Sequence, residues 1–235
     1  MPPSDNRTQH SETRAGSGSA SAAIFDMDGV LTDTTELHYR SWKVIADELE
    51  IPFERPAYDE MRGLGRSESL AIFLRGQAGR FDAAQQQDIA ARKNEGFLRL
   101  VAKMTPADLL PGVLDLLRGL RERGVHVGVA SSSRNAGPVI ERLGIGPLLD
   151  VVVDANTAPR SKPDPQVLLV AAERLGVPPV RCVVLEDAEA GVAAALAAGM
   201  RVIGIGPRER VGAAQIVVGS MSEVSPDTVL GLLRR

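Results

Sequence analysis

Apolar and polar positions follow two different rhythms along this chain. Residues 22–25 (AAIF) form a short continuous apolar run that stops abruptly at Asp26. From Thr34 to about Thr105 the spacing is helical, beginning with Leu37, Tyr39, Trp42, Ile45, Ala46 and Leu49. Shorter helical patterns follow at residues 56–62, 67–75 and 82–104, and none of this stretch alternates as a strand does. From Leu110 the rhythm changes. Helical patterns at residues 113–123, 136–143, 165–176 and 188–198 each precede an apolar run, at residues 125–130, 151–153, 182–185 and 202–205. A last apolar run at 216–218 and a helix at 226–233 extend the series.

Strands alternating with helices predict βαβ units and a parallel sheet, and continuous apolar strands predict a sheet covered on both faces. The expected fold class is therefore α/β, with the first strand separated from the others by an all-helical insertion. The expected organisation is a tail at residues 1–21, a core of residues 22–33 plus 110–235, and a helical module at 34–109. The tail is rich in Ser, Thr, Asn, Gly and charge, and lacks the apolar region of a secretory signal.

Composition narrows the function classes. A net charge of −3 and 3% aromatic residues give no basic, ring-rich footprint for nucleic acid. The longest apolar stretch, residues 190–200, is far below the ~20 residues of a membrane span. The single cysteine, Cys182, lies in an apolar run and excludes a disulfide framework. The expectation is a cytoplasmic protein acting as a monomer on a small molecule, with neither nucleic acid nor membrane as partner. Of the 27 cationic residues, only Lys43, Lys93, Lys103 and Lys162 are lysines. In so arginine-rich a chain, a retained lysine marks a position that can require a compact ammonium.

In an open parallel sheet, ligands bind beyond the carboxyl ends of the strands. The unusual polar residues fall there: Asp26 and Asp28 after the first strand, Ser131–Asn135 after residues 125–130, and Glu186 and Asp187 after residues 182–185. Lys162 sits in the loop SKPDP beyond residues 151–153. Four carboxylates at one edge repel unless a cation holds them, and hard oxygen donors without a His or Cys cluster suit Mg2+. Lys162 and the Ser131 hydroxyl are suited to a phosphoryl group. Together these are the parts of phosphoryl transfer through an aspartyl phosphate. The competing reading is a set of solvated acids, with Asp187 capping the helix that follows it.

The segment FDMDGVLTDT (residues 25–34) resembles the first motif of the haloacid dehalogenase (HAD) superfamily of phosphotransferases. Ser131, the Lys162 of SKPDP and the run EDAEAG (residues 186–191) resemble its other three motifs in the right order. The resemblance implies a HAD-like Rossmannoid core with a helical cap. It implies Asp26 as nucleophile and Asp28 as general acid/base. Mg2+ would be held by Asp26, the Asp28 backbone carbonyl and Asp187, with Glu186 nearby, and Ser131 and Lys162 would hold the transferring phosphate. Within the superfamily, ELHYRSWK (residues 36–43), RGLGRSESL (62–70), ARKN (91–94) and SSSRNA (131–136) are similar to the β-phosphoglucomutase branch. That likeness implies that Arg66, Ser133, Arg134 and Asn135 grip the phosphate not being transferred and that His38 orients the acid/base. Thr34 and Trp42 are placed with the substrate-binding residues, Trp42 as a wall of the cap. Arg62 stands where this branch commonly has a lysine. The implied reaction interconverts β-D-glucose 1-phosphate and glucose 6-phosphate, and the alternative is a Mg2+-dependent sugar-phosphate phosphatase.

Overall fold

The computed structural model describes residues 20–61 and 64–234. Most of the expected tail and Arg62 lie outside the described residues. The Ser21 carbonyl accepts from His126 N at 2.9 Å and the Ala20 carbonyl from Arg181 Nε at 2.9 Å, which fasten the start of the described chain to the sheet.

Six parallel strands form the sheet in the order β3-β2-β1-β4-β5-β6. They are β1 (Ala22–Phe25), β2 (His126–Ala130), β3 (Val151–Val153), β4 (Cys182–Glu186), β5 (Arg201–Ile205) and β6 (Ile216–Val218). The period of two sends Ala23, Phe25, Val127, Val129, Val183 and Leu185 to one face and Ala22, Ile24, Cys182 and Val184 to the other. Burial on both faces is what makes the strands read as unbroken apolar runs. The strand order reverses between β1 and β4, which places the switch-point crevice beyond Phe25 and Glu186.

Four helices follow β1: α1 (Thr35–Leu49), α2 (Arg55–Asp59), α3 (Arg66–Phe73) and α4 (Ala83–Val101). Trp42, Ile45, Phe53, Phe73 and Ile89 give this cap its own apolar cluster. The other helices interleave with the strands: α5 (Val113–Glu122), α6 (Ala136–Leu143), α7 (Gln166–Leu175), α8 (Glu189–Ala197), α9 (Arg208–Val211) and α10 (Pro226–Leu233). An Asp82–Gln85 capping box starts α4, whose last turns leave the cap so that Phe97 and Val101 join the sheet's apolar cluster. The two connections to the cap are tied together. Thr32 bridges Leu109, Leu110 N donates to Leu31 O at 3.0 Å, and Thr32 Oγ1 donates to Asp108 O at 2.7 Å.

The sequence pattern did not register α9. Gly204 and Ile205 end the apolar run at 202–205 and belong to β5. A Cβ on Gly204 would meet Val211 Cβ at 2.7 Å, so the glycine permits α9 to pack directly on the strand. Among the described residues, no helix is long and apolar enough to cross a membrane.

Candidate active site

β1 delivers Asp26 to the crevice, and its N–H still donates to Leu185 O at 2.9 Å, so the carboxylate leaves the sheet at a fixed angle. Gly29 then turns the chain at φ +86°; a Cβ there would lie 2.4 Å from Asp187 Oδ2. That contact brings the loop after β1 against the loop after β4. A Cβ on Gly191 would lie 2.0 Å from Glu186 Cδ, so this glycine lets the first turn of α8 cover the Glu186 carboxylate. Glu186 Oε1 accepts from the N–H groups of Asp187 and Ala188 at 3.1 and 3.0 Å. The N-cap of α8 is Ala188, so the simple capping role considered for Asp187 is not what the fold uses.

Lys162 is buried among these acids. Its Nζ lies 2.6 Å from Asp26 Oδ1, 2.7 Å from Glu186 Oε2 and 3.1 Å from Ala130 O. Burial alone lowers an ammonium's pKa, but the two carboxylates outweigh it and hold Lys162 above its ordinary value. One cation does not balance four acids. Burial and the neighbouring Asp26 charge push Asp28 up to about 7, and the same causes move Glu186 upward. Carboxylate oxygens of Asp26, Glu186 and Asp187 lie within 4.8 Å of one another, all on buried residues. A hard-oxygen donor set with surplus negative charge fits a divalent ion such as Mg2+.

Facing this acidic edge is a cavity lined by Asp26, Asp28, Ser131, Ser133, Arg134 and Asn135 from the core and by His38, Trp42, Arg66, Lys93 and Asn94 from the cap. Ser131 and Ser133 hold their loop by accepting from Ser133 N and Asn135 N, each at 3.1 Å. Across the cavity, Asn94 Oδ1 accepts from Arg66 Nη2 at 2.7 Å and from Asn135 Nδ2 at 2.8 Å, tying cap to core. Burial and the nearby Arg134 charge lower the Arg66 pKa. Lys93 Nζ lies 2.7 Å from His38 Nδ1, and burial followed by the Arg66 charge brings Lys93 down to about 7. His38 stacks on Phe97 at 4.0 Å, and burial followed by the Lys93 charge keeps it well below its ordinary value, a neutral imidazole.

The fold brings most of the expected residues together, with Trp42 in the wall as expected and with two differences, at Thr34 and at Lys93 with Asn94. Thr34 is fully buried and does not line the cavity; its hydroxyl donates to Asp28 Oδ1, which makes it a positioning residue for that carboxyl. Trp42 is at once core and cavity wall, stacked on Phe73 at 4.5 Å. Lys93 and Asn94 were absent from the expected set, because the run Arg92–Asn94 reads equally as a solvated helix face. The signal available was the retained lysine, since Lys93, half-buried in the cavity wall, and Lys162, fully buried, are the two of the four found at the site. Cys182 is buried in β4 and its thiol is pushed up to about 11, as an inert packing residue would be.

The described architecture agrees with what known proteins show. A family model described as haloacid dehalogenase-like hydrolase matches residues 20–199. The chain is 41% identical over 206 residues to a β-phosphoglucomutase of Bacillus subtilis, covering 87% of this chain and 91% of that one. It is 30% identical over 220 residues to a phosphorylated carbohydrates phosphatase of Thermotoga maritima, covering 91% of this chain and 98% of the relative. The crystal structure of a β-phosphoglucomutase from Clostridium difficile superposes with a TM-score of 0.88 at 32% identity, covering 92% of this chain and 97% of that one. The chain belongs to the haloacid dehalogenase-like hydrolase family.

Proposed function

We propose that this protein is a β-phosphoglucomutase, interconverting β-D-glucose 1-phosphate and glucose 6-phosphate through β-glucose 1,6-bisphosphate. The observation that carries the reading is the second cationic pocket. Arg66 of the cap and Asn135 of the core converge on Asn94, with Arg134 beside Asn135 in the core loop that lines the same cavity. A mutase holds a bisphosphate whose ends exchange, so it needs a second dianion site remote from its nucleophile. A phosphatase needs only the first.

In the forward direction phosphorylated Asp26 gives its phosphoryl group to the hydroxyl at carbon 6, and Asp28 takes the hydroxyl proton. The bisphosphate then presents its other end. The Asp26 carboxylate receives the phosphoryl group from carbon 1, and Asp28 returns the proton to the departing oxygen. A pKa of about 7 suits Asp28 to both duties. Lys162 and Ser131 would hold the phosphoryl oxygens. Mg2+ would be held by Asp26, the Asp28 carbonyl and Asp187, with Glu186 beside them, and when bound it supplies charge neutralisation to the phosphoryl oxygens. The enclosed space is about 100 Å³, below the ~300 Å³ of small ligand pockets. End-for-end exchange therefore requires residues 34–109 to swing as a cap about the paired segments at Thr32 and Leu109.

The test is a product count with β-glucose 1-phosphate, Mg2+ and a trace of the 1,6-bisphosphate. Glucose 6-phosphate in large excess over free phosphate, and none from the α-anomer, is the expected result. Free phosphate with little glucose 6-phosphate makes the protein a sugar-phosphate phosphatase, like its Thermotoga relative.

A further inference from the structure

The acids of the candidate metal set open onto two different spaces. Asp26 and Asp28 line the sugar cavity, whereas Asp187 lines a second cavity of about 270 Å³ beyond the ends of β5 and β6. Glu186 is closed off behind Lys162, with 1% of its side chain exposed. The second cavity is walled by Gly29, Asp33, Leu110, Arg210 and Ser222 together with Asp187, and none of these lines the first.

We propose that this second cavity is the exchange route of the divalent cation, so that the ion enters and leaves on the Asp187 side while the cap stays closed over the sugar. The inference rests on the Mg2+ reading above. On the sugar side, Asn94 ties cap to core and any bound sugar phosphate fills the space. On the Asp187 side no cap contact has to break. The volume is adequate. Mg2+ sheds water reluctantly, and six waters at ~30 Å³ each occupy about 180 Å³, less than this cavity holds.

The wall also carries a charge balance suited to exchange. Asp33 and Asp187 attract a cation, and Arg210 opposes it. Asp33 accepts from Thr35 N at 2.9 Å, a bond an asparagine keeps, so its charge can be removed without unfastening the start of α1.

The experiment follows Mn2+ uptake by the metal-free, full-length protein, read as loss of the free-ion EPR signal after rapid mixing. Saturating glucose 6-phosphate should leave the uptake rate within about twofold of the free protein, whereas a tenfold or greater slowing would overturn the route. In Ser222→Phe, uptake and EDTA-driven release should both slow by about tenfold with the Mn2+ Kd unchanged, because a plug alters a path and not the ligands. Unaltered rates in that variant would overturn the proposal, and if it fails to fold the glucose 6-phosphate experiment still decides. Arg210→Gln should speed uptake and Asp33→Asn slow it, each by about two- to threefold at low salt, and shifts in the opposite directions would contradict the route. Failure of the unaltered protein to retain Mn2+ at about 1 mM would overturn the metal reading itself, a result distinct from normal affinity with unaltered rates.

Discussion

The two walls of the cavity solve opposite electrostatic problems. On the core wall, acids outnumber cations: Lys162 is bonded to both Asp26 and Glu186, yet Asp28 and Glu186 are still pushed upward. On the cap wall, cations stand without acids. Arg66 and Lys93 are both lowered, their hydrogen-bond partners are the neutral Asn94 and His38, and no carboxylate among the described residues lies within ion-pair distance of either. A protein keeps uncompensated buried charge where a ligand of the opposite sign will compensate it. The core wall is therefore prepared for a cation and the cap wall for an anion. A bisphosphate bridging a metal-assisted nucleophile and a remote phosphate grip satisfies both.

Changes on the core wall should be the more damaging. Asp26→Asn keeps the shape and removes the nucleophile, so turnover should fall by roughly 10⁴-fold or more, with no alkali-labile acyl phosphate after incubation with the bisphosphate. EDTA should abolish transfer while far-UV circular dichroism stays unchanged, because Lys162 already fastens Asp26 to Glu186 without the ion. A loss of helix and sheet signal would show the metal to be structural. On the cap wall, Asn94→Ala removes the hydrogen bond to Asn135 that joins cap and core and the one that holds Arg66 within the cap, and KM for β-glucose 1-phosphate should rise by about tenfold with kcat nearly kept.

The smallest effect concerns stability. Lys93 titrates at about 7 when folded against an ordinary 10.5. Below pH 7 it is charged in both states and its burial cost is present in full. Between about 7 and 10.5 the unfolded chain binds the extra proton, so stability rises with pH across that window. Lys93→Met should accordingly raise the Tm by about 2–4 °C at pH 6.5, with the gain shrinking by pH 9.5. A gain independent of pH would mean that Lys93 is not the charge that costs stability.

The same contrast explains what could be read in the sequence. Asp26, Ser131 and Glu186 each follow directly on an apolar strand run, and a parallel sheet brings strand ends to one edge, so these groups converge by topology alone. The cap wall is assembled by tertiary packing. Lys93 and Asn94 occupy a helix whose polar residues look like any solvated face until α4 is laid across the core through Phe97 and Val101. Thr34 was misplaced for a related reason. A hydroxyl beside a catalytic motif can face the substrate or turn back on the carboxyl, and only the start of α1 decides that it bonds Asp28.

The division of labour between the walls is tested most directly by Arg66→Ala with two phosphoryl donors. Acetyl phosphate carries a single phosphate and uses only the core wall, whereas the mutase cycle uses both. Phosphorylation of Asp26 by acetyl phosphate should stay within about threefold of the unaltered protein, while conversion of β-glucose 1-phosphate falls by about 100-fold. Equal losses in the two reactions, or an unchanged mutase rate, would contradict the assignment of the cap wall to the second phosphate.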